Sequence, residues 1–217
     1  MKVRNEVRET WNILADSWTN LRTKPLDEVL EFSKIVENGR VLDIGCGNCR
    51  NLIPFIGRGV KCIGLDFSQG MIKQSKLFLK RRNLKASLII GDIENLPIKS
   101  ESIENILCLA TLHHVPTRES RIMSLSEIKR VGKKNCRILI SVWKKYQKRF
   151  LWKLFVSFLK GHYGDVWVEW DYHGKIYKRF YHLYTRKELQ DDIQKAELNI
   201  EKIWEDKKGN IWSLVEK

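Results

Sequence analysis

Three carboxylates recur along the first half of this chain, each beside a glycine. Asp43 stands in Asp43-Ile44-Gly45-Cys46-Gly47-Asn48-Cys49, Asp66 in Gly64-Leu65-Asp66-Phe67-Ser68, and Asp92 in Gly91-Asp92-Ile93-Glu94-Asn95-Leu96-Pro97. Gly45 and Gly47 permit a tight turn and a close approach of backbone to a ligand. Asp66 follows Asp43 by 23 residues. A carboxylate there, at the end of a second strand, can accept hydrogen bonds from both hydroxyls of a ribose. Asp92 can accept from the exocyclic amine of an adenine, with Ile93 covering the ring. The glycine loop alone would also suit a dinucleotide-dependent dehydrogenase. Against that, Arg50 stands where G-x-G-x-x-G has its last glycine, a bulky residue at a helix–strand contact.

These residues need a scaffold that brings strand ends together, and the hydrophobic pattern supplies one. Val7, Trp11, Leu14, Ala15, Trp18 and Leu21 fall at helical spacings, and Pro25 opens a second helix that Gly39 ends. Then Val41–Ile44, Val60–Leu65, Ala86–Ile90, Ser102–Leu109 and Cys136–Val142 read as strands. Helices lie between them, one from Asn51, one capped by Ser68 and one over 117–131. Strands alternating with helices indicate an α/β fold with a parallel sheet. Thr185 caps a further helix to about Lys195, and Leu198–Glu205 with Ile211–Glu216 reads as a terminal antiparallel hairpin. The chain thus divides into N-terminal helices (1–38), a core (39–142), a basic aromatic cap insert (143–184) and a terminal helix and hairpin (185–217), read as one domain.

Taken in register, D-x-G-x-G, G-x-D-x-S and G-D-x-x-x-L-P resemble the class I S-adenosylmethionine (SAM)-dependent methyltransferases over roughly 38–142. That resemblance implies a Rossmann-like, mostly parallel seven-stranded sheet with the C-terminal hairpin as its antiparallel edge. It also implies SAM as cofactor and S-adenosylhomocysteine as product. Asp43, Gly45, Cys46, Gly47 and Asn48 would hold the methionine part. Asp66 would hold the ribose, Phe67 and Met71 would flank the adenosine, and Asp92 and Ile93 would hold the adenine. Leu109, ending the fourth strand, would lie beside the methyl donor. Cys49 departs from the third glycine common in the family.

Charge narrows the second substrate. The chain carries a formal net charge of +14, and residues 133–187 hold 14 lysines and arginines against three acids. A field of that sign, concentrated in one quarter of the chain, favours a polyanion. All six tyrosines also lie within 143–184. Phe150, Trp152, Leu154, Phe155 and Phe158 cover one face of a helix and read as core or partner surface. Cys46 and Cys49 form a C-x-x-C without the second pair that a zinc site requires, so they read as small loop residues and no metal is expected. No signal-peptide h-region or apolar run of membrane-spanning length is present, so the expectation is a cytoplasmic protein with no membrane role.

His113 and His114, after the fourth strand, suit a general base, a substrate ligand or packing. The stretches Trp18–Pro25, His114–Arg121, Arg137–Trp143 and Arg179–Leu189 resemble the tRNA wobble-uridine carboxymethyl methyltransferases. The resemblance implies methyl transfer to the carboxylate of 5-carboxymethyluridine in a tRNA anticodon loop. It also implies a small zinc-ribbon activator protein paired along the edge strand Ala86–Ile90. A carboxylate is ionised at neutral pH and needs orientation rather than a base. Arg22 and Arg179 are candidate clamps for it, or else surface ion pairs. His113 and His182 are candidate donors, and Tyr181 a candidate stacking surface for the base. The alternative is a small-molecule C- or O-methyltransferase of quinone type, which shares the SAM motifs but has no use for so basic a segment.

Overall fold

The structure is a computed structural model that describes residues 2–159 and 161–217. β1 (Arg40–Ile44), β2 (Lys61–Asp66), β3 (Ser87–Ile90), β4 (Ile103–Leu109) and β5 (Gly132–Trp143) run parallel. β8 (Asn199–Glu205) and β9 (Asn210–Glu216) complete a seven-stranded sheet in the order β3-β2-β1-β4-β5-β9-β8, with β9 antiparallel to both neighbours. The Rossmann-like sheet and its antiparallel C-terminal hairpin are as the sequence implied.

Strand alternation feeds two cores. Leu42 and Ile44 point to the side covered by α4 (Arg118–Val131) and α6 (Arg186–Lys195), where Leu125, Ile128, Leu189 and Ile193 are fully buried. Val41 and Leu107 point to the other side, against α2 (Asp27–Lys34) and α3 (Gln69–Arg81). Each such buried aliphatic side chain contributes about 1.5–3 kcal/mol. The register pairs Ile44 with Leu65 and with Cys108, so the ends of β1, β2 and β4 finish level. That places Gly45, Asp66 and Ala110 around one crevice.

Caps fall where the side chains direct them. Ser68 accepts from the Met71 amide, Thr117 from Ser120, and Thr185 with Glu188 forms a full capping box. Two expected helices differ. The one expected from Asn51 is a single 3-10 turn, Arg50–Leu52, with Pro54, Gly57 and Gly59 following. α2 ends at Lys34, ahead of Gly39.

The cap contains an antiparallel hairpin that the residue pattern had not suggested: β6 (Asp165–Tyr172) and β7 (Lys175–His182), separate from the main sheet. Before it lies α5 (Leu151–Leu159). Of the apolar residues expected to be covered there, Phe150 and Leu154 are buried, whereas Trp152, Phe155 and Phe158 are each more than half exposed. The helix is apolar on more sides than the protein covers.

α1 (Lys2–Asn20) ties cap to core. Its Asn12 side chain accepts from the Ser68 hydroxyl (2.8 Å) and the Gly70 amide (3.2 Å) on α3. A Cβ on Gly70 would stand 3.0 Å from the Asn12 Cα, so glycine lets the helices meet. On its other side Val7, Trp11 and Ala15 pack with Met71 of α3 and Phe180 of β7.

Candidate active site

A cavity of about 250 Å³ opens over the level strand ends. Its floor is the glycine loop. The Gly45 amide donates to Leu65 O (2.7 Å), and the Thr111 hydroxyl donates to Ile44 O (3.0 Å) directly beneath. A Cβ on Gly45, at φ +70°, would collide with Thr111. One on Gly47, at φ +56°, would come within 2.8 Å of the Trp18 ring of α1. The loop is therefore held between Thr111 and Trp18 with only glycine able to fit.

Asp66 sits at the end of β2 and accepts the amides of Gly47 (3.0 Å) and Ser68 (2.9 Å). Burial pushes its carboxyl up to about 6 in spite of those bonds. Asp43 is deeper and fully enclosed. Burial pushes it up to about 8, with the charge of Arg50 opposing, and its Oδ2 has no hydrogen-bond partner among the described residues. A buried acid with a free oxygen under a glycine cradle suits a cationic ligand head. SAM, with its ammonium and sulfonium groups, fits that donor set.

The signs follow. Both acids bind protons more tightly in the folded protein than unfolded, so their contribution to stability is full below about pH 4 and is lost as pH rises through about 6 and 8. A cationic ligand favours the ionised forms. SAM binding is expected to tighten from about pH 6 to about 8 and to release protons near neutrality. Calorimetry in buffers of different ionisation heat measures this, and binding without proton release would show that neither acid meets the ligand.

Of the residues expected at the cofactor, Gly45, Cys46, Gly47, Asp66, Phe67, Met71, Ile93 and Leu109 line the cavity. Asp43 lies beneath it. Asn48 is buried and holds the substrate side in place, its amide donating to Arg22 O (2.7 Å). Asp92 is at the rim, paired with Arg4 of α1, which also pairs with Glu94. Arg4, Trp18, Arg50 and Glu94 line the cavity as well and had been given no site role. Arg50 stands in place of a glycine, and Trp18 and Glu94 lie within the quoted motifs, whereas Arg4 carried no signal. Cys46 and Cys49 are buried free thiols, and the hydrogen bond that the Cys46 thiol donates to Cys49, then burial, holds it well above its ordinary range.

The other end of the cavity gathers Arg22, His113, His114, Trp143, Arg179 and Tyr181. Arg22 and Arg179 both lie over Trp170 of β6, at 5.9 and 4.5 Å from its ring centre. Among the described residues neither is ion-paired with a carboxylate, and burial lowers the pKa of both. Arg179 donates to the Tyr181 hydroxyl (2.9 Å), and its Nε has no partner. Tyr181 is not a free platform: its ring already stacks on Trp143 at 4.1 Å and 4°.

The histidines have opposite tautomers. The Trp143 amide can only donate, so His113 Nδ1 accepts it (3.0 Å) and the proton of the neutral ring is on Nε2, which is buried and unpartnered. His114 Nδ1 faces Phe180 O (2.8 Å) and must donate, which leaves Nε2 as the acceptor. Burial, then the neighbouring positive groups, lowers His113 well below its ordinary range. Burial lowers His114 to about 4. Both rings are neutral near pH 7, and His113 is a hydrogen-bond donor rather than a base.

His182, expected as a further donor here, does not line the cavity. Strand alternation puts Arg179 and Tyr181 on one face of β7 and His182 on the other. There it lies between Asp165 (2.6 Å) and Glu188 (2.7 Å), with Lys145 on the second Glu188 oxygen (3.1 Å). Burial alone would raise Glu188, but His182 and Lys145 outweigh it and hold the carboxyl at about 2. A depressed acid stabilises the fold above its unfolded pKa, and that contribution is lost as pH falls through about 2. Thermal melts from about pH 5 to about pH 3 should therefore fall less steeply for Glu188→Gln than for the parent. Parallel slopes would show that this cluster does not tie the cap to α6.

Residues 42–140 match the family model described as a methyltransferase domain. The chain is 30% identical over 138 residues to the mouse tRNA (carboxymethyluridine(34)-5-O)-methyltransferase ALKBH8, covering 63% of this chain and 20% of that protein. It is 29% identical over 143 residues to the tRNA (carboxymethyluridine(34)-5-O)-methyltransferase of Saccharomyces cerevisiae, covering 65% and 49%. A putative methyltransferase of Encephalitozoon cuniculi is 31% identical over 150 residues, covering 69% and 65%. The chain thus spans less than two thirds of the length of these relatives. Among solved structures, a SAM-dependent methyltransferase from Methanosarcina mazei superposes with a TM-score of 0.76 at 18% identity, covering 89% of this chain and 98% of that one. A putative methyltransferase of Haloferax volcanii, in complex with the Trm112 methyltransferase activator, superposes with a TM-score of 0.68 at 15% identity, covering 97% and 96%.

Proposed function

We propose, from the premise that this chain is a class I SAM-dependent methyltransferase with SAM as its cofactor, that its acceptor is the carboxylate of 5-carboxymethyluridine at the wobble position of a tRNA anticodon, which becomes a methyl ester. The observation that carries this reading is the pair Arg22 and Arg179. Two guanidiniums over one tryptophan, in the same cavity, have no acid between them. Like charges so placed are relieved by an anionic ligand, and a carboxylate matches the guanidinium fork.

The histidines agree with an acceptor that arrives ionised. A neutral hydroxyl or carbon acid would need a base beside it. His113 has its Nδ1 occupied by a backbone amide and its proton on Nε2, and His114, whose Nε2 is an acceptor, is held by burial at about 4, a weak base. A carboxylate, with a reference pKa near 4, requires none. The protein's task is then to strip water from the carboxylate, hold it by Arg22 and Arg179, and aim one oxygen at the methyl group. When bound, SAM supplies that methyl: the oxygen–carbon bond forms as the methyl–sulfur bond breaks, with the electron pair passing to sulfur.

The tRNA is supported by the relatives' names and by the exposed Lys148, Arg149, Lys175 and Lys178 of the cap. A zinc-ribbon activator along β3 is supported by two features. β3 is an outer strand of the sheet, with Ile90 53% exposed. The Haloferax volcanii neighbour is itself bound to a methyltransferase activator. Such an edge is suited to strand addition. The described residues contain no helix long and apolar enough to cross a membrane.

Methyl-labelled SAM, with tRNA bearing carboxymethyluridine and with or without an activator, tests this. The label should enter tRNA and leave under mild alkali, because esters hydrolyse. An alkali-stable label, or labelling of a small quinol instead of tRNA, would overturn the reading.

A further inference from the structure

We infer that His113 and His114 form a base-reading subsite that accepts a uracil edge and rejects cytosine. The inference rests on the proposed acceptor and adds what selects its base. Each ring's tautomer is fixed by a main-chain bond, His113 by the Trp143 amide and His114 by the Phe180 carbonyl. The pair therefore offers one donor, His113 Nε2–H, beside one acceptor, His114 Nε2, with ring centres 4.6 Å apart. The His113 donor is buried, lines the cavity and has no hydrogen-bond partner among the described residues. A buried N–H left unpaired is costly, so it is there for a ligand acceptor.

Uracil presents O4 as an acceptor and N3–H as a donor, side by side. Cytosine presents an amino donor and a bare N3 acceptor, the reverse pattern. Against this pair cytosine would set donor to donor and acceptor to acceptor. The groups that a 5-carboxymethyluracil requires are gathered in one place. Around the ring of a 5-carboxymethyluracil come the C5 side chain, then O4, then N3–H. Tyr181 touches all three groups: Arg179 donates to its hydroxyl at 2.9 Å, and the His113 and His114 ring centres lie 5.1 and 4.5 Å from its own. Arg179 takes the carboxylate, His113 the O4 and His114 the N3–H. Neither histidine can invert its role without losing a backbone bond, so the discrimination is built into the rings rather than into a rotatable amide.

Binding tests this apart from turnover. Protein saturated with S-adenosylhomocysteine is titrated with uracil-5-acetic acid, cytosine-5-acetic acid and 3-methyluracil-5-acetic acid. A site built on hydrogen bonds rejects an analogue that leaves its groups unpaired, so the uracil acid should bind at least about tenfold tighter than either of the others. In His114→Phe the penalty for the 3-methyl group should disappear. If the variant fails to bind S-adenosylhomocysteine, the three-ligand comparison on the unaltered protein still decides. A cytosine acid bound within about twofold of the uracil acid, or no binding of the uracil acid, overturns the subsite. Tight, uracil-selective binding without methyl transfer to carboxymethyluridine upholds the subsite and overturns the proposed reaction.

Discussion

Arg179→Met is expected to lower kcat/KM for a carboxymethyluridine-bearing acceptor by about a thousandfold, with S-adenosylhomocysteine affinity kept within about twofold. Removing one partner of a buried, charge-assisted pair costs about 2–5 kcal/mol, and each 1.4 kcal/mol is a factor of ten. Arg179 is only 6% exposed, so water cannot replace it. Lysine should restore little, since a point charge cannot bond both a carboxylate and the Tyr181 hydroxyl as the fork does. Arg22→Met should lose less, because Arg22 is partly open to solvent. Steady-state kinetics beside calorimetry separates the two ends of the cavity. An Arg179→Met enzyme within about threefold of the parent would remove the basis for the carboxylate clamp.

The second large effect is expected at Asp66. In Asp66→Ala the Gly47 and Ser68 amides lose their acceptor. A buried donor left unpaired costs about 1–3 kcal/mol, so the two together cost about 2–6 kcal/mol. For a chain of this size 1 kcal/mol moves Tm by about 2–4 °C, which makes the loss easy to read. S-adenosylhomocysteine affinity should fall more than a hundredfold, from loss of both the ribose acceptor and the glycine-loop geometry. Asp66→Asn separates these contributions, since it keeps one oxygen for a backbone amide but cannot accept from two ribose hydroxyls and both amides. An Asn variant with full affinity would show that the ribose is held elsewhere.

The cofactor end of the cavity was more legible from sequence than the acceptor end, and the reason is physical. Acids at the ends of parallel strands inherit their position from the sheet register, which apolar runs reveal. Gly45 and Asp66 were therefore placed by the strands before them. The cap was harder to read. Its hairpin alternates Val166, Val168 and Trp170 with polar and aromatic residues, but both faces carry aromatics, so the period of two is blurred. A turn signal was present: His173-Gly174, where both residues take positive φ of 53° and 73°. That conformation usually announces itself as Asn-Gly or Asp-Gly. With β7 recognised, alternation alone would have set His182 on the opposite face from Arg179 and Tyr181. The exposure of Trp152, Phe155 and Phe158 follows no local pattern, since an apolar helix face reads the same whether or not something covers it.

α1 roofs the cavity along its whole length. Arg4 closes the rim at Asp92 and Glu94, Trp18 lies over Gly47, and the chain running on from the helix delivers Arg22. If spent S-adenosylhomocysteine leaves by the lifting of that roof, the same movement withdraws Arg22 from the acceptor. The expected order in each cycle is then donor first, the proposed acceptor second, methylated product out third, and the donor's remnant last. Rapid mixing should show a first equivalent of ester formed faster than all later ones, with the steady rate governed by departure of the remnant rather than by bond making. Each visit of the acceptor would then end after a single methylation, because the enzyme cannot be recharged while its guest is in place.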